Sequence, residues 1–283
     1  VVLLTACSRP IARFSYSGEQ VAPARISFEN LSENAEEFEW DLGDGTIVSD
    51  TNIVHEYRSS GNYLISLKAK KGNKEKTVQQ RIVIDAPLTC LVELETEFGN
   101  MLIELFDATP QHRDNFSKLV EEGFYDGLLF HRVIDGFMIQ GGDPNSRNSG
   151  SDQPLGAGGP GYTIPAEFVD TLVHIKGVLA AARIGDSANP KKNSSGSQFY
   201  IVQGGPVSGE RLDRMEARKG KRYSKALREA YLEKGGTPQL DWDYTVFGRV
   251  IEGMEVIDKI ATVPTDERDL PREDVKMKMR LIK

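Results

Sequence analysis

The sequence predicts a mainly β protein in two units: an N-terminal β-sandwich, then a closed β-barrel with capping helices and a helical insert. Three observations predict it. Between residues 10 and 86, short alternating or β-branched runs recur, separated by turn-formers such as "DGT" and "SSGN". At Asp85–Thr89, "DAPLT" reads as a short linker, and the pattern changes after it. Beyond residue 87, strand-like runs mix with few helical stripes and many of the 27 glycines, a combination that argues for a barrel closed by tight turns.

The first residues, 1–9, stand apart. "VVLLTACS" reads as the tail of a secretory signal peptide. Leu4-Thr5-Ala6-Cys7 resembles the bacterial lipobox. That implies a lipidated Cys7, an acyl tether to a membrane, and a place in the bacterial cell envelope, facing the periplasm or the cell surface. The alternative is an edge strand with a structural cysteine; the polar stretch that follows favours the lipobox. No other segment approaches a membrane-spanning length. With only Cys7 and Cys90, no disulfide framework is indicated, and Cys90 reads as a buried, inert thiol.

In residues 10–86, "ARISFEN", "EEFEWDLG", "GNYLISLKAK" and "VQQRIVIDA" are the strand candidates. Trp40 is a large inward anchor, Gly43 and Gly45 permit a tight turn, and Tyr57 and Tyr63 are expected to pack from the opposite sheet. "WDLGDGT" and "HEYRSSGNYLISL" resemble the signature of the polycystic-kidney-disease (PKD) repeat, which implies an immunoglobulin-like sandwich.

In residues 87–283, "CLVELETEFGNMLIELF" reads as two strands turning around Phe98-Gly99-Asn100. "TPQHRDNFSKLVEEGFY" reads as a helix, with Thr109 as N-cap, Pro110 at the first position, and an apolar stripe of Phe116, Leu119 and Val120. An insert within residues 206–238 carries two helical stripes. One is Leu212 and Met215; the other is Tyr223, Leu227, Ala230 and Tyr231. Around them Arg211, Arg214, Arg218, Lys219, Lys221, Arg222, Lys225 and Arg228 predominate. This reads as a helical hairpin with a basic face, a solvated cover rather than a partner site.

Composition limits the function. Hydrophobic content of 39% supports real cores, and a net charge of -7 disfavours nucleic acid as a partner. "GAGGPG" lacks the lysine of a phosphate loop and reads as a plain loop. "DPNSRNSGSD" departs from a calcium loop at Arg147 and Gly150. Asp41 and Asp44 read as turn caps. The four histidines lack zinc spacing. No carboxylate pair stands out as an acid/base couple.

One segment, "FHRVIDGFMIQGGD" (130–143), concentrates arginine, aromatic, methionine and glutamine around glycines, yet offers no nucleophile. Alternation puts Phe130 with Arg132 on one strand face and Met138 with Gln140 on the returning strand, about a turn at Ile134-Asp135-Gly136. Alone, this is an ordinary hairpin. Together with "GNMLIELF", "NFSKLVEEGFY", "GAGGPGYTIPAEF", "GVLAAAR", "SSGSQFYIVQ" and "YTVFGRVIEG", in this order, it resembles the cyclophilin family of peptidyl-prolyl isomerases over residues 90 to 283, apart from the insert.

The resemblance implies a closed eight-stranded antiparallel β-barrel that acts on proline-containing polypeptides, without cofactor or covalent intermediate. It implies that Arg132 hydrogen-bonds the prolyl nitrogen as the amide twists. Phe137, Met138, Tyr200 and Leu240 would line the proline pocket. Gln140 would hold the substrate backbone and help orient Arg132. Gln198 and the main chain near Ala182 and Arg183 would hold the residues before proline. The sequence departs from the family at four places: Tyr200 where phenylalanine is usual, Arg183 where many members have asparagine, Tyr244 where many have a histidine beside the pocket, and Gln239 where cyclosporin-binding members have tryptophan. Weak cyclosporin binding is expected.

The leading expectation is a lipid-anchored, monomeric isomerase assisting exported proteins, with the sandwich as spacer. The alternative is a proline-peptide-binding chaperone or assembly factor with little turnover, and a third reading makes the sandwich an adhesin.

Overall fold

The computed structural model describes residues 9–22, 24–57, 60–85, 91–147 and 154–282. The lipobox with Cys7, the linker residues 86–89, Cys90 and the second half of the "DPNSRNSGSD" run lie outside these. The chain forms two compact units, the first ending at residue 87.

The first unit is a sandwich of two antiparallel sheets. Its strands are β1 (Phe14–Ser17), β2 (Ala24–Asn30), β3 (Glu37–Asp41), β4 (Ile47–Val48), β5 (Ile53–Tyr57), β6 (Gly61–Lys71) and β7 (Lys74–Ile84). One sheet has the order β1-β2-β5 and the other β4-β3-β6-β7. Alternation along β2 buries Ala24, Ile26 and Phe28 and exposes the residues between them, as one solvated face requires. Trp40 is fully buried between Phe14 and Phe28, and its indole N–H donates to the Asp50 carbonyl at 2.9 Å. Tyr57 packs from the opposite sheet and donates to the Leu42 carbonyl at 3.0 Å. Tyr63 does not: it lies on β6, in Trp40's own sheet, and reaches the Tyr57 ring at 4.3 Å from there. Alternation assigns a side chain to a face but says nothing of which sheet its strand joins. Asp41 and Asp44 cap the turn after Trp40, accepting from the Gly43 and Thr46 amides.

The second unit is built on β8 (Leu91–Thr96), β9 (Gly99–Leu105), α1 (Pro110–Glu121), β10 (Arg132–Ile134), β11 (Met138–Gly141), β12 (Thr163–Ile164), β13 (Val178–Ala181), β14 (Ser194–Ser195), β15 (Phe199–Val202), α2 (Gly209–Lys219), α3 (Lys225–Lys234), β16 (Val246–Glu252), α4 (Met254–Ala261) and β17 (Lys278–Ile282). Eight strands form one curled antiparallel sheet in the order β10-β11-β15-β13-β16-β9-β8-β17, while β12 pairs with β14 apart from it. Just before the two edge strands, residues 127–130 bond residues 275–277: Phe130 N–H to Val275 O and Met277 N–H to Leu128 O, both 2.9 Å. This short bridge joins the two ends of the sheet. Inside sit Val92, Ile103, Phe116, Phe199, Phe247 and Met277, with α1 and α4 covering the ends of the core.

Three local readings are revised. The β8–β9 hairpin turns at Glu97-Phe98, because Thr96 already pairs with Gly99. Thr109 occupies the N-cap of α1 but makes no capping bond; the Glu167 carboxylate instead accepts from the Gln111 and His112 amides at 3.1 and 3.0 Å. It does the work of an N-cap from a distant loop. Phe130 does not share a face with Arg132. The strand begins only at Arg132, and Phe130 belongs to the barrel core against Phe199.

The insert folds as the helical pair α2 and α3. Ser208 and Ser224 cap them through their hydroxyls, and Gly220 ends α2 at φ 65°. Leu212, Tyr223 and Tyr231 are buried with Val173, Val207 and Trp242 in a small core of their own.

Candidate active site

The β10–β11 hairpin is the centre of the site. Gly136, at φ 74°, makes its turn possible, and the register sets Arg132 opposite Gln140. Pairing of β11 with β15 then puts Gln140 beside Tyr200, and β15 with β13 puts Tyr200 beside Ala180. Period-2 alternation splits the two faces. Ile139 and Val133 enter the barrel core, whereas Met138 and Tyr200 turn outward into a second apolar cluster.

That outward face bears a cleft of about 220 Å3, lined by Arg132, Phe137, Met138, Gln140, Ala182, Arg183, Tyr200, Leu240 and Tyr244. All nine are residues that the sequence nominates. The tenth, Gln198, lies next door. It lines a more open hollow of about 610 Å3, walled by the Gly156–Tyr162 loop and sharing Gln140, Ala182 and Arg183 with the cleft. The first space suits one small ring; the second has room for neighbouring residues of an extended ligand. Gln198 stands at the junction, accepting from Gln140 Nε2 at 3.2 Å and donating to the Gly158 carbonyl at 2.7 Å. The Gly156–Gly161 loop is tied down by Asp143, whose buried carboxylate accepts from the Gly156 and Gly158 amides.

Two arginines border the cleft, and their surroundings separate them. Arg183 is only 4% exposed. Its Nε donates to the Asp243 carbonyl at 2.7 Å, and its guanidinium lies 4.5 Å from the Tyr244 ring centre. It is a strut holding the wall in place. The Arg132 side chain is 43% exposed and, among the described residues, makes one loose ion pair, Nε to Asp269 Oδ2 at 3.4 Å. At that exposure the pair is worth at most about 1 kcal/mol. Arg132 is therefore the cation that a ligand can recruit. Beside it, burial keeps the His131 imidazole neutral, lowering its pKa against the pull of Asp143.

Sequence reasoning misses Asp269. It sits at φ 64° in a turn whose Asp266 carboxylate accepts from the Arg268 and Leu270 amides, and its carbonyl accepts from the Val133 amide at 2.8 Å. "TDERD" signals a turn, but nothing local signals that the turn docks beside β10. It also misses the support of the pocket wall. The Tyr200 hydroxyl is 2.9 Å from His174 Nε2, facing away from the cleft, and burial keeps it protonated. The ring thus serves as an apolar wall.

One further arrangement has the order of a hydrolytic triad: Ser194 Oγ to His112 Nε2 at 2.9 Å, and His112 Nδ1 to Glu167 Oε2 at 2.6 Å. Ser194 is 1% exposed, so no substrate carbonyl can reach it. These contacts instead fix the start of α1. What the cleft and the adjoining hollow offer, among the described residues, is an available cation in Arg132, apolar walls and the amide side chains of Gln140 and Gln198. This set suits a reaction in which a bond rotates and none is broken.

Comparison with known proteins agrees. The model of the cyclophilin type peptidyl-prolyl cis-trans isomerase family matches residues 91–280, and that of the PKD domain matches residues 8–85. The chain is 39% identical over 187 residues to a protein of Streptococcus pyogenes serotype M6 named as a bifunctional phosphatase/peptidyl-prolyl cis-trans isomerase, matching 65% of this chain but only 37% of that one. It is 38% identical over 185 residues to a Staphylococcus epidermidis protein named as a peptidyl-prolyl cis-trans isomerase, matching 65% of this chain and 87% of the relative. A crystal structure of a Cryptosporidium parvum cyclophilin-type isomerase superposes with a TM-score of 0.52 at 26% identity, covering 69% of this chain and 98% of that one. A crystal structure of the same protein in the presence of the dipeptide Ala-Pro gives 0.51. With its sequence motifs, its curled eight-stranded sheet and its cleft in agreement, the chain belongs to the cyclophilin-type peptidyl-prolyl cis-trans isomerases, joined to an N-terminal PKD domain.

Proposed function

We propose that the cleft catalyses rotation about X-Pro bonds by holding the twisted amide better than the planar one. The observation that carries this reading is an accessible guanidinium, Arg132, at the rim of a small apolar pocket. The peptide bond resists rotation by about 18–20 kcal/mol because nitrogen shares its lone pair with the carbonyl. At X-Pro the two isomers lie within about 0.5–1 kcal/mol, yet exchange takes on the order of tens to hundreds of seconds. Proline enters between Phe137, Met138, Tyr200 and Leu240. As the bond twists, nitrogen regains its lone pair, and Arg132 donates to it. That bond is absent from the planar ground state, so it lowers the barrier. Gln140 and Gln198, with the backbone at Ala182, hold the flanking chain so that only one side of the bond swings.

The clients are exported polypeptides, and Cys7 carries a lipid anchor to the bacterial envelope; Leu4-Thr5-Ala6-Cys7 supports that reading. The PKD unit then acts as a spacer, and the protein works as a monomer. Mass spectrometry of the membrane-extracted protein should find acyl chains on Cys7, and an unmodified Cys7 ends that part of the reading. For catalysis, NMR exchange spectroscopy on a short X-Pro peptide with the full chain is decisive. Accelerated exchange is expected. Shifted peptide resonances with exchange at background would mean a chaperone that binds proline peptides without turning them over.

A further inference from the structure

We infer that the helical insert is a working part of the active site: through a buried chain of hydrogen bonds it fixes the Tyr200 wall of the proline pocket. The chain starts at the insert. Tyr223, just before α3, and Tyr231, within it, both donate to Asp241 Oδ2 at 2.6 Å. Asp241 Oδ1 accepts from the His174 backbone N–H and from His174 Nδ1, each at 2.8 Å. His174 Nε2 meets the Tyr200 hydroxyl at 2.9 Å.

The polarity of the chain is determined by its members. A backbone N–H can only donate, and four partners converge on the two oxygens of Asp241, so the group is an acceptor-only carboxylate. Nδ1, facing that carboxylate, is then a donor, and the other ring nitrogen, Nε2, holds the Tyr200 hydroxyl. The hydroxyl of Tyr200, foreign to the usual phenylalanine of the family, is thereby turned from the pocket and used as a tether.

Burial makes the chain stiff. Asp241, His174 and Tyr231 are fully inaccessible, and Tyr200 is 4% exposed. Among the described residues no lysine or arginine is paired to the Asp241 carboxylate; the nearby Lys219 bonds the Asp241 carbonyl and the Asp243 carboxylate instead. A buried carboxylate with no lysine or arginine on it depends on all its hydrogen bonds, and two of the four come from the insert. Asp241 also follows Leu240, another pocket wall. A cover that merely shielded the barrel would need two aromatic rings here. It would not need two hydroxyls aimed at one carboxylate.

The inference rests on the cleft being the isomerase site, and a double-mutant cycle on the full chain separates the two. Tyr223→Phe with Tyr231→Phe removes the insert's donors, and Tyr200→Phe cuts the chain at the pocket. Thermal unfolding first confirms that each variant is folded at the assay temperature. With Tyr200 present, the insert pair should lower kcat/KM about threefold to tenfold; with Phe at 200 the same pair should change it less than about 1.5-fold. Equal loss in both backgrounds, or no loss in either, overturns the inference, because a purely structural role would act whatever stands at 200. If the pair does not fold, Tyr223→Phe alone takes its place in the cycle. If the parent proves inactive, the isomerase reading fails, and the same cycle is run on the dissociation constant of the X-Pro peptide measured by NMR titration.

Discussion

Replacing Arg132 by alanine should abolish most catalysis while leaving the fold and peptide binding nearly intact. The size of each effect follows from its surroundings. The Arg132–Asp269 pair is 3.4 Å long with both side chains more than two-fifths exposed, so its loss should shift stability by no more than about 1 kcal/mol. The bond to the twisted amide nitrogen is charge-assisted, worth about 1.5–3 kcal/mol. Full enclosure would raise that, but the Arg132 side chain is 43% exposed and stays within this range. The expected loss in kcat is therefore about 10- to 150-fold. Arg132→Lys should recover part of it, keeping the charge but losing the rigid fork. The assay is peptide exchange by NMR, with a titration of the same peptide for affinity. An Arg132→Ala chain within about threefold of the parent would refute the mechanism. So would a loss of affinity equal to the loss of kcat/KM, which would make Arg132 a binding residue only.

Other outcomes follow from single contacts. Gly142 sits at φ 86°, and a Cβ there would lie 2.3 Å from the Ser197 carbonyl oxygen, so Gly142→Ala should cost at least about 2 kcal/mol in urea unfolding; an unchanged midpoint would contradict the turn geometry. Burial raises the pKa of Glu167, but hydrogen bonds from the His112 ring and the His112 and Gln111 amides outweigh it and hold it below the ordinary 4.5. The unfolded chain then binds the proton more readily, so this stabilisation is complete above the ordinary value and is lost as pH falls through the depressed one. Thermal unfolding followed down to about pH 3 should show a shallower acid limb in Glu167→Gln than in the parent; parallel limbs would exclude the contribution. Gln239, held by Arg211 of the insert at 2.8 Å, is not part of the cleft lining. Cyclosporin should bind weakly, and Gln239→Trp should tighten it by about tenfold in calorimetry; no gain would mean that the insert, not the residue at 239, excludes the ligand.

Much of this architecture is legible in the sequence because it is local. Two-residue alternation marks β2, β8, β9 and β11, Pro110 marks the start of α1, and the apolar stripes led by Leu212 and by Tyr223 mark the insert helices. The cleft is legible because its residues sit inside long contiguous runs. What escapes reading is what the chain brings together from afar. Glu167 caps a helix that begins more than fifty positions earlier, Asp269 meets Arg132 from a turn far along the chain, and Asp241 gathers partners from the insert and from His174. Phe130 and Tyr63 are misread for a related reason. A side chain's face follows from its strand, but where a strand begins and which sheet it joins are decided by tertiary pairing.

The bridge between residues 127–130 and 275–277 has a consequence for biogenesis. Leu91 pairs with Ile282, and the segment leading into Arg132 is anchored by Val275 and Met277. The sheet cannot close, and Arg132 cannot be set, until residue 282 has left the ribosome. The PKD strands pair only among residues 14–84 and can fold while the rest is still being made. The catalytic unit, dominated by distant pairings, folds late and slowly. The isomerase unit thus emerges from the ribosome before its own cleft is assembled.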